Sequence, residues 1–90
     1  MKFVWDPHKA ILNLRKHGVS FEEAETAMLD EFSRTAQDPD HSVSENRFVT
    51  FGLSARGRLL VVSYTDRGET IRIISARIAT KGEREIYEEH

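Results

Sequence analysis

The chain has no cysteine among its 90 residues and only two prolines and five glycines. Disulfide staples, thiolate metal sites and thiol chemistry are therefore excluded. Long apolar runs are missing too. The longest, Leu59 to Val62, is far too short to span a bilayer. The start, Met1-Lys2-Phe3-Val4-Trp5-Asp6, meets charge and then Pro7 before a signal-peptide core can form, so a cytoplasmic protein is expected. His8, His17 and His41 lack a metal-ligand spacing such as HExxH, so no metal is expected. There is no phosphate-cradling glycine loop; Gly52, Gly57 and Gly68 fit a strand and its turns. Ser42, Ser44, Ser54, Ser63 and Ser75 lack a nucleophile-elbow context, and no cofactor is implied.

Ninety residues make one domain, 1–90, able to bury about two thirds of its unfolded surface. Hydrophobic residues at 39% and charged residues at 31% describe an ordinary soluble globule rather than a disordered chain. Charge is unevenly spread. From Arg47 to Arg77 there are six arginines, no lysine and two acids, Asp66 and Glu69, in a chain whose net charge is −2. Such a split points to one surface built for an anion, and arginine's planar fork grips phosphate with two parallel hydrogen bonds. Overall acidity argues against a loose, non-specific DNA binder.

Lys2 to Trp5 reads as a short strand ended by Asp6-Pro7, a helix cap followed by proline at the first helical position. The first helix runs to about His17 and closes at Gly18, with Ala10, Ile11 and Leu14 inward and Lys9, Asn13, Lys16 and His17 facing solvent or a partner. Ser20-Phe21-Glu22-Glu23 is a capping box opening a second helix, with Phe21, Ala24 and Met28 inward. The pattern weakens from Glu31 to Asn46, read as a weak strand and then a polar loop. A meander follows: Phe48 to Leu53, Leu59 to Thr65 and Thr70 to Ala76, joined by turns at Ser54-Ala55-Arg56-Gly57 and Asp66-Arg67-Gly68. Thr80-Lys81-Gly82-Glu83 is a further capping box, opening a final helix through Tyr87. The expected fold is α+β, in the order β-α-α-β-β-β-α, with helices packed on a small antiparallel sheet of about four strands.

Strand alternation sets Arg72 opposite Ile71 and Ile73, in mid-strand, where its charge must meet water, a ligand, or an acid such as Glu45 or Glu69. Arg77 follows just before the last helix, whose amino end also favours a phosphate. Arg56, Arg58 and Arg67 lie at or beside turns, where solvated arginines are common. His41 and Glu45, in the polar loop before Arg47, are the proton-carrying candidates: histidine titrates near neutrality and a carboxylate can orient it or act as base. Trp5, Phe3, Phe48, Phe51 and Tyr64 have the ring faces that stack on bases, but Tyr64 shares a strand face with Leu60 and Val62 and reads as core.

Three segments, FVWDPHKAILNLRKHGVSFEEA, DPDHSVSENRFVTFGLSARGRLLVVSYT and IRIISARIATKGEREIYE, together resemble the BrnT family of bacterial type II toxins over nearly the whole chain. The resemblance implies a RelE-like fold, ribonuclease activity, an RNA substrate, and a BrnA-type antitoxin that binds DNA and represses the shared operon. DNA would be met only through that antitoxin, and a toxin dimer within a larger complex is a possible arrangement. Metal-free RNA cleavage needs a base for the ribose 2′-OH, cations for the phosphate and an acid for the departing 5′-oxygen. Arginine does not readily deprotonate, so its part is charge stabilisation. On this reading Arg72 and Arg77 converge on the phosphate, Arg47 or Arg58 assists, and Glu45 or His41 moves the proton. The alternative is a non-enzymatic module whose arginine surface binds RNA or an acidic partner.

Overall fold

The computed structural model describes residues 1–38 and 46–89. The elements are β1 (Lys2–Val4), α1 (Pro7–His17), α2 (Phe21–Met28), β2 (Arg34–Gln37), β3 (Arg47–Leu53), β4 (Leu59–Asp66), β5 (Thr70–Ile78) and α3 (Lys81–Glu88). They build one five-stranded sheet in the order β1-β5-β4-β3-β2. The expected α+β class holds, but the sheet is mixed and has five strands. β1 runs parallel to β5, through Phe3 opposite Ile71 and Val4 opposite Arg72, and the weak strand at Arg34–Gln37 pairs antiparallel with β3.

Local chemistry sets the helix ends. The Asp6 carboxylate accepts from His8 N at 2.8 Å, Pro7 stands in the first turn, and Gly18 closes α1 with φ +69°, its N–H donating to Leu14 O at 2.9 Å. Only half of the capping box expected at α2 forms. The Ser20 hydroxyl accepts from Glu23 N at 3.0 Å, but the Glu23 side chain turns away into the interior. At α3 both halves form, between Thr80 and Glu83.

One sheet face carries Phe48 and Thr50 from β3, Leu60, Val62 and Tyr64 from β4, and Ile71, Ile73 and Ala76 from β5. Most of these join Val19, Phe21, Ala24 and Ala27 in the core under α1 and α2, and each fully buried Leu, Ile or Phe there contributes about 1.5–3 kcal/mol. Trp5 meets the Phe21 ring edge-on at 5.9 Å, and Phe48 stacks on Tyr64 at 5.9 Å, which confirms these rings as packing. α3 lies on the other face, with Ile86 beside Val49 and Phe51.

The inner face of α1 differs from the periodicity reading. Ile11 and Leu14 are 53% and 52% exposed, whereas Asn13 is 7% exposed. Asn13 is inside because β1 covers β5 only as far as Arg72, which leaves the edge of β5 away from β4 without a strand partner around Ala76 among the described residues. Its amide takes the partner's place: Nδ2 donates to Ala76 O at 2.8 Å and to Val19 O at 2.9 Å, and Oδ1 accepts from Ala76 N at 3.1 Å. Just before this clasp, β5 holds a bulge: Ser63 opposes Ser75 and Tyr64 opposes Ile73, so Ile74 is an extra residue.

Two substitutions test this frame. Asn13→Leu leaves three backbone groups unpaired and is expected to lower unfolding free energy by about 2–4 kcal/mol in urea denaturation. A Cβ on Gly52 would lie 2.1 Å from the Ala27 carbonyl oxygen, so Gly52→Ala is expected to push α2 off β3 and lower the melting temperature by ten degrees or more, on the order of 3 kcal/mol or above.

Candidate nucleic-acid interface

The bulge decides which side chains share the face opposite α1 and α2. Arg72 and Arg77 are five residues apart, which in a regular strand puts them on opposite faces. The extra residue at Ile74 reverses the alternation, so both share a face with Arg47, Thr65, Ser63, Val61 and Ser75. The register gives three rows across β3, β4 and β5: Arg47–Thr65–Arg72, Val49–Ser63–Ser75 and Phe51–Val61–Arg77. Arg72 and Arg77 therefore stand at the two ends of a strip, opposite Thr65 and Val61, roughly 13 Å apart along the strand. The register thus puts the two arginines on one face but two rows apart, with the Ser63–Ser75 row between them. The spacing suits separate phosphates of one extended strand, with the Ser63 and Ser75 hydroxyls between.

Each arginine has its own electrostatic setting. Arg72 makes no ion pair among the described residues, and its charge helps hold the Asp6 carboxyl below the usual range, an effect smaller than that of the His8 backbone N–H that Asp6 caps. The Thr65 hydroxyl between Arg47 and Arg72 is buried without a hydrogen-bond partner among the described residues. Arg77 is locked to Glu83 by two parallel bonds, Nη1 to Oε1 at 2.7 Å and Nη2 to Oε2 at 2.8 Å. That contact raises the Arg77 pKa and, with the Thr80 N–H, pulls the Glu83 carboxyl down to about 2 against the cost of burial. Both line a cavity of about 360 Å³ with Asp38, Phe51, Ser63 and Ser75.

Arg58 lies on the opposite side, the one covered by α1 and α2. Its Nε donates to Glu23 Oε2 at 2.9 Å, its Nη2 donates to Glu23 Oε1 and, at 3.0 Å, to Gly18 O, and Ser54 Oγ donates to Oε2 at 2.7 Å. Arg56 Nη1 approaches the same carboxylate at 3.7 Å. Glu23 is 6% exposed, and the Arg58 hydrogen bonds hold its pKa below the ordinary value despite desolvation. Arg58 thus ties the α1–α2 turn to β4, and it is not brought to the Arg72 and Arg77 face. His41 and Glu45 lie outside the described residues. Arg47 opens β3 and falls in the Arg72 row.

Sequence reading missed Ser63, Ser75, Asp38 and Glu83 as neighbours of Arg77. A signal existed for the serines, since each interrupts an apolar strand at its centre. Glu83 registered only as a capping residue, because its second partner becomes visible once Ile78 to Thr80 fold back.

The chain is a small α+β fold whose sheet carries a strip of arginine and hydroxyl side chains on one face. A family model described as "Ribonuclease toxin, BrnT, of type II toxin-antitoxin system" matches residues 5–83, and the chain belongs to this family. The crystal structure of the Brucella abortus ribonuclease toxin BrnT superposes with a TM-score of 0.70 at 23% identity, covering 90% of this chain and 99% of that one. At that identity the likeness carries the fold. No curated protein matches the chain. The chain is thus a ribonuclease toxin of the type II class, for which the family implies an antitoxin partner.

The Arg77–Glu83 pair has a pH signature. Glu83 falls from an ordinary 4.5 to about 2, so its stabilising contribution is fully present above the ordinary value and is lost as pH drops toward 2. Urea denaturation at pH 7 and at pH 3 is expected to show a smaller acid loss of stability in Glu83→Gln than in the wild-type chain; equal losses would show that the pair is not formed in solution.

Proposed function

We propose that the Arg47–Arg72–Arg77 face is the RNA site, and that this toxin cleaves single-stranded RNA without a divalent metal, arresting translation in the bacterial cytoplasm. Support comes from one observation above the rest: the β5 bulge turns Arg72 and Arg77 to the same side, over a strip that includes Ser63 and Ser75. Arg77 and Arg72 hold separate phosphates, Arg47 assists, and the developing negative charge is stabilised by fixed guanidinium groups. A proton carrier is still required, and Glu45 or His41, just ahead of Arg47 in the chain, is assigned to it. A depressed Glu83 is a poor base at neutral pH, which favours that assignment. The RelE-like mode of cleavage belongs to the same proposal.

The off state is steric. A BrnA-type antitoxin lays acidic side chains over the arginine strip, while half-exposed Ile11, Leu12 and Leu14 on α1 offer apolar surface to it or to a second toxin copy in a larger complex.

Purified protein is expected to cleave RNA in excess EDTA. Arg72→Ala and Arg77→Ala should each lower kcat/KM by about 10²–10³-fold, Arg72→Ala with little change in melting temperature and Arg77→Ala with a lowered one, because it strands the Glu83 carboxylate. Arg58→Ala should lower only the melting temperature, by stranding the Glu23 carboxylate, while the folded fraction still cleaves. Full cleavage by both Arg72→Ala and Arg77→Ala would remove the site from this face.

A further inference from the structure

The Glu83 carboxylate is surrounded as a bound anion would be. Its Oε1 accepts from Arg77 Nη1 at 2.7 Å and from Thr80 N at 2.9 Å, and its Oε2 accepts from Arg77 Nη2 at 2.8 Å. Three donors from two elements thus meet on one planar anion beside the cavity that holds Ser63 and Ser75. The pair remains reachable, with side chains 41% exposed for Arg77 and 22% for Glu83. An arginine fork presents the same two parallel N–H groups to a phosphodiester as to a carboxylate, so the seat that Glu83 fills is one a phosphate fits.

We propose that Glu83 is an internal stand-in for a substrate phosphate, occupying the anion seat formed by Arg77 and the amino end of α3 until a phosphodiester of single-stranded RNA displaces it. This rests on the reading of the arginine face as the RNA site. The exchange does not require α3 to unfold. Thr80 Oγ1 keeps its bond from Glu83 N at 3.2 Å, Tyr87 remains bonded to Asp30 at 2.5 Å, and Ile86 stays beside Val49 and Phe51. α3 buries no residue completely, so rotating one of its side chains outward disrupts little packing. Glu83 also sets a threshold: a lone anion must beat a tethered carboxylate, whereas an RNA strand that also engages Arg72 carries enough contacts to do so.

The test is binding of a short single-stranded RNA, 2′-O-methylated throughout so that it is not cleaved, to the wild-type chain, Glu83→Gln, Arg77→Ala and the double variant at fixed salt. Glutamine keeps the capping box but removes the competing charge. Glu83→Gln is expected to bind about tenfold tighter, and the gain is expected to vanish in the double variant. In the wild-type chain the Glu83 carboxyl carbon resonance is expected to shift when this RNA saturates the site, a readout that needs no variant to fold. Unchanged or weaker binding by Glu83→Gln with Arg77→Ala still impaired would overturn the stand-in alone. Tighter binding with cleavage abolished would make Glu83 a catalytic base and overturn it as well. Wild-type binding and cleavage by Arg77→Ala would overturn the RNA face itself.

Discussion

The clasp between the Asn13 amide and the backbone of Ala76 fixes where β5 departs from regular alternation, and the arrangement of the arginine face depends on it. β1 is too short to pair the far half of β5, so a helix side chain supplies the missing donor and acceptor. With Ala76 held there, Ile74 is the residue left over, and everything beyond it changes face. Arg77 joins Arg72 for that reason. The same shift keeps Ala76 on the core face beneath α1, where its small side chain permits the close approach that the amide needs. Packing and site geometry therefore share one cause, and a regular β5 would lose both.

Electrostatics then sort arginines that look alike in sequence. Arg58 is consumed by a buried carboxylate whose own desolvation makes the pairing obligatory, and Arg56 adds a weaker contact from the surface. Arg77 is paired as well, but to a partly exposed carboxylate that a competing anion can reach. Arg72 has no ion pair among the described residues and takes its company from the distant field of Asp6. The gradient from locked to open runs with burial of the acid rather than with the arginine's position in the chain. A count of guanidinium groups in the sequence says nothing of it.

Much of the fold was legible where local chemistry is strong. The three meander strands, their glycine turns and the caps of α1 and α3 follow from alternation, positive-φ glycines and side-chain oxygens at the right offsets. β1 was legible as a strand, but its parallel partner lies far along the chain, and three residues carry no pattern that names it. Asn13 was misplaced because periodicity ranks residues by polarity, whereas a buried strand edge needs a polar side chain. Glu23 was misread for a similar reason: Ser20 and Glu23 have capping-box spacing, yet Arg58 and Ser54 outcompete the helix end for the carboxylate. At the site, the alternation rule that placed Arg72 correctly would have sent Arg77 to the core side, and a bulge leaves no simple trace in residue type.

The Glu83 contact also bears on how a small toxin reconciles stability with an anion-binding face. Two guanidinium groups left without counter-charge on one strand would repel each other and any neighbouring cation, and the effect is strongest when the face is empty. A tethered carboxylate relieves that repulsion in the free protein, and it caps α3 while doing so. Because the tether spans only six residues from Arg77, the carboxylate remains close at all times and returns whenever the seat empties. The resting domain is thereby held together by a contact that ligand binding exchanges for an equivalent one, so occupation of the face need not cost the fold its charge balance. Arg72, without such a partner among the described residues, is the charge that first meets an approaching strand, and Arg77 becomes the position where only a polyanion with several points of attachment can displace what is already bound.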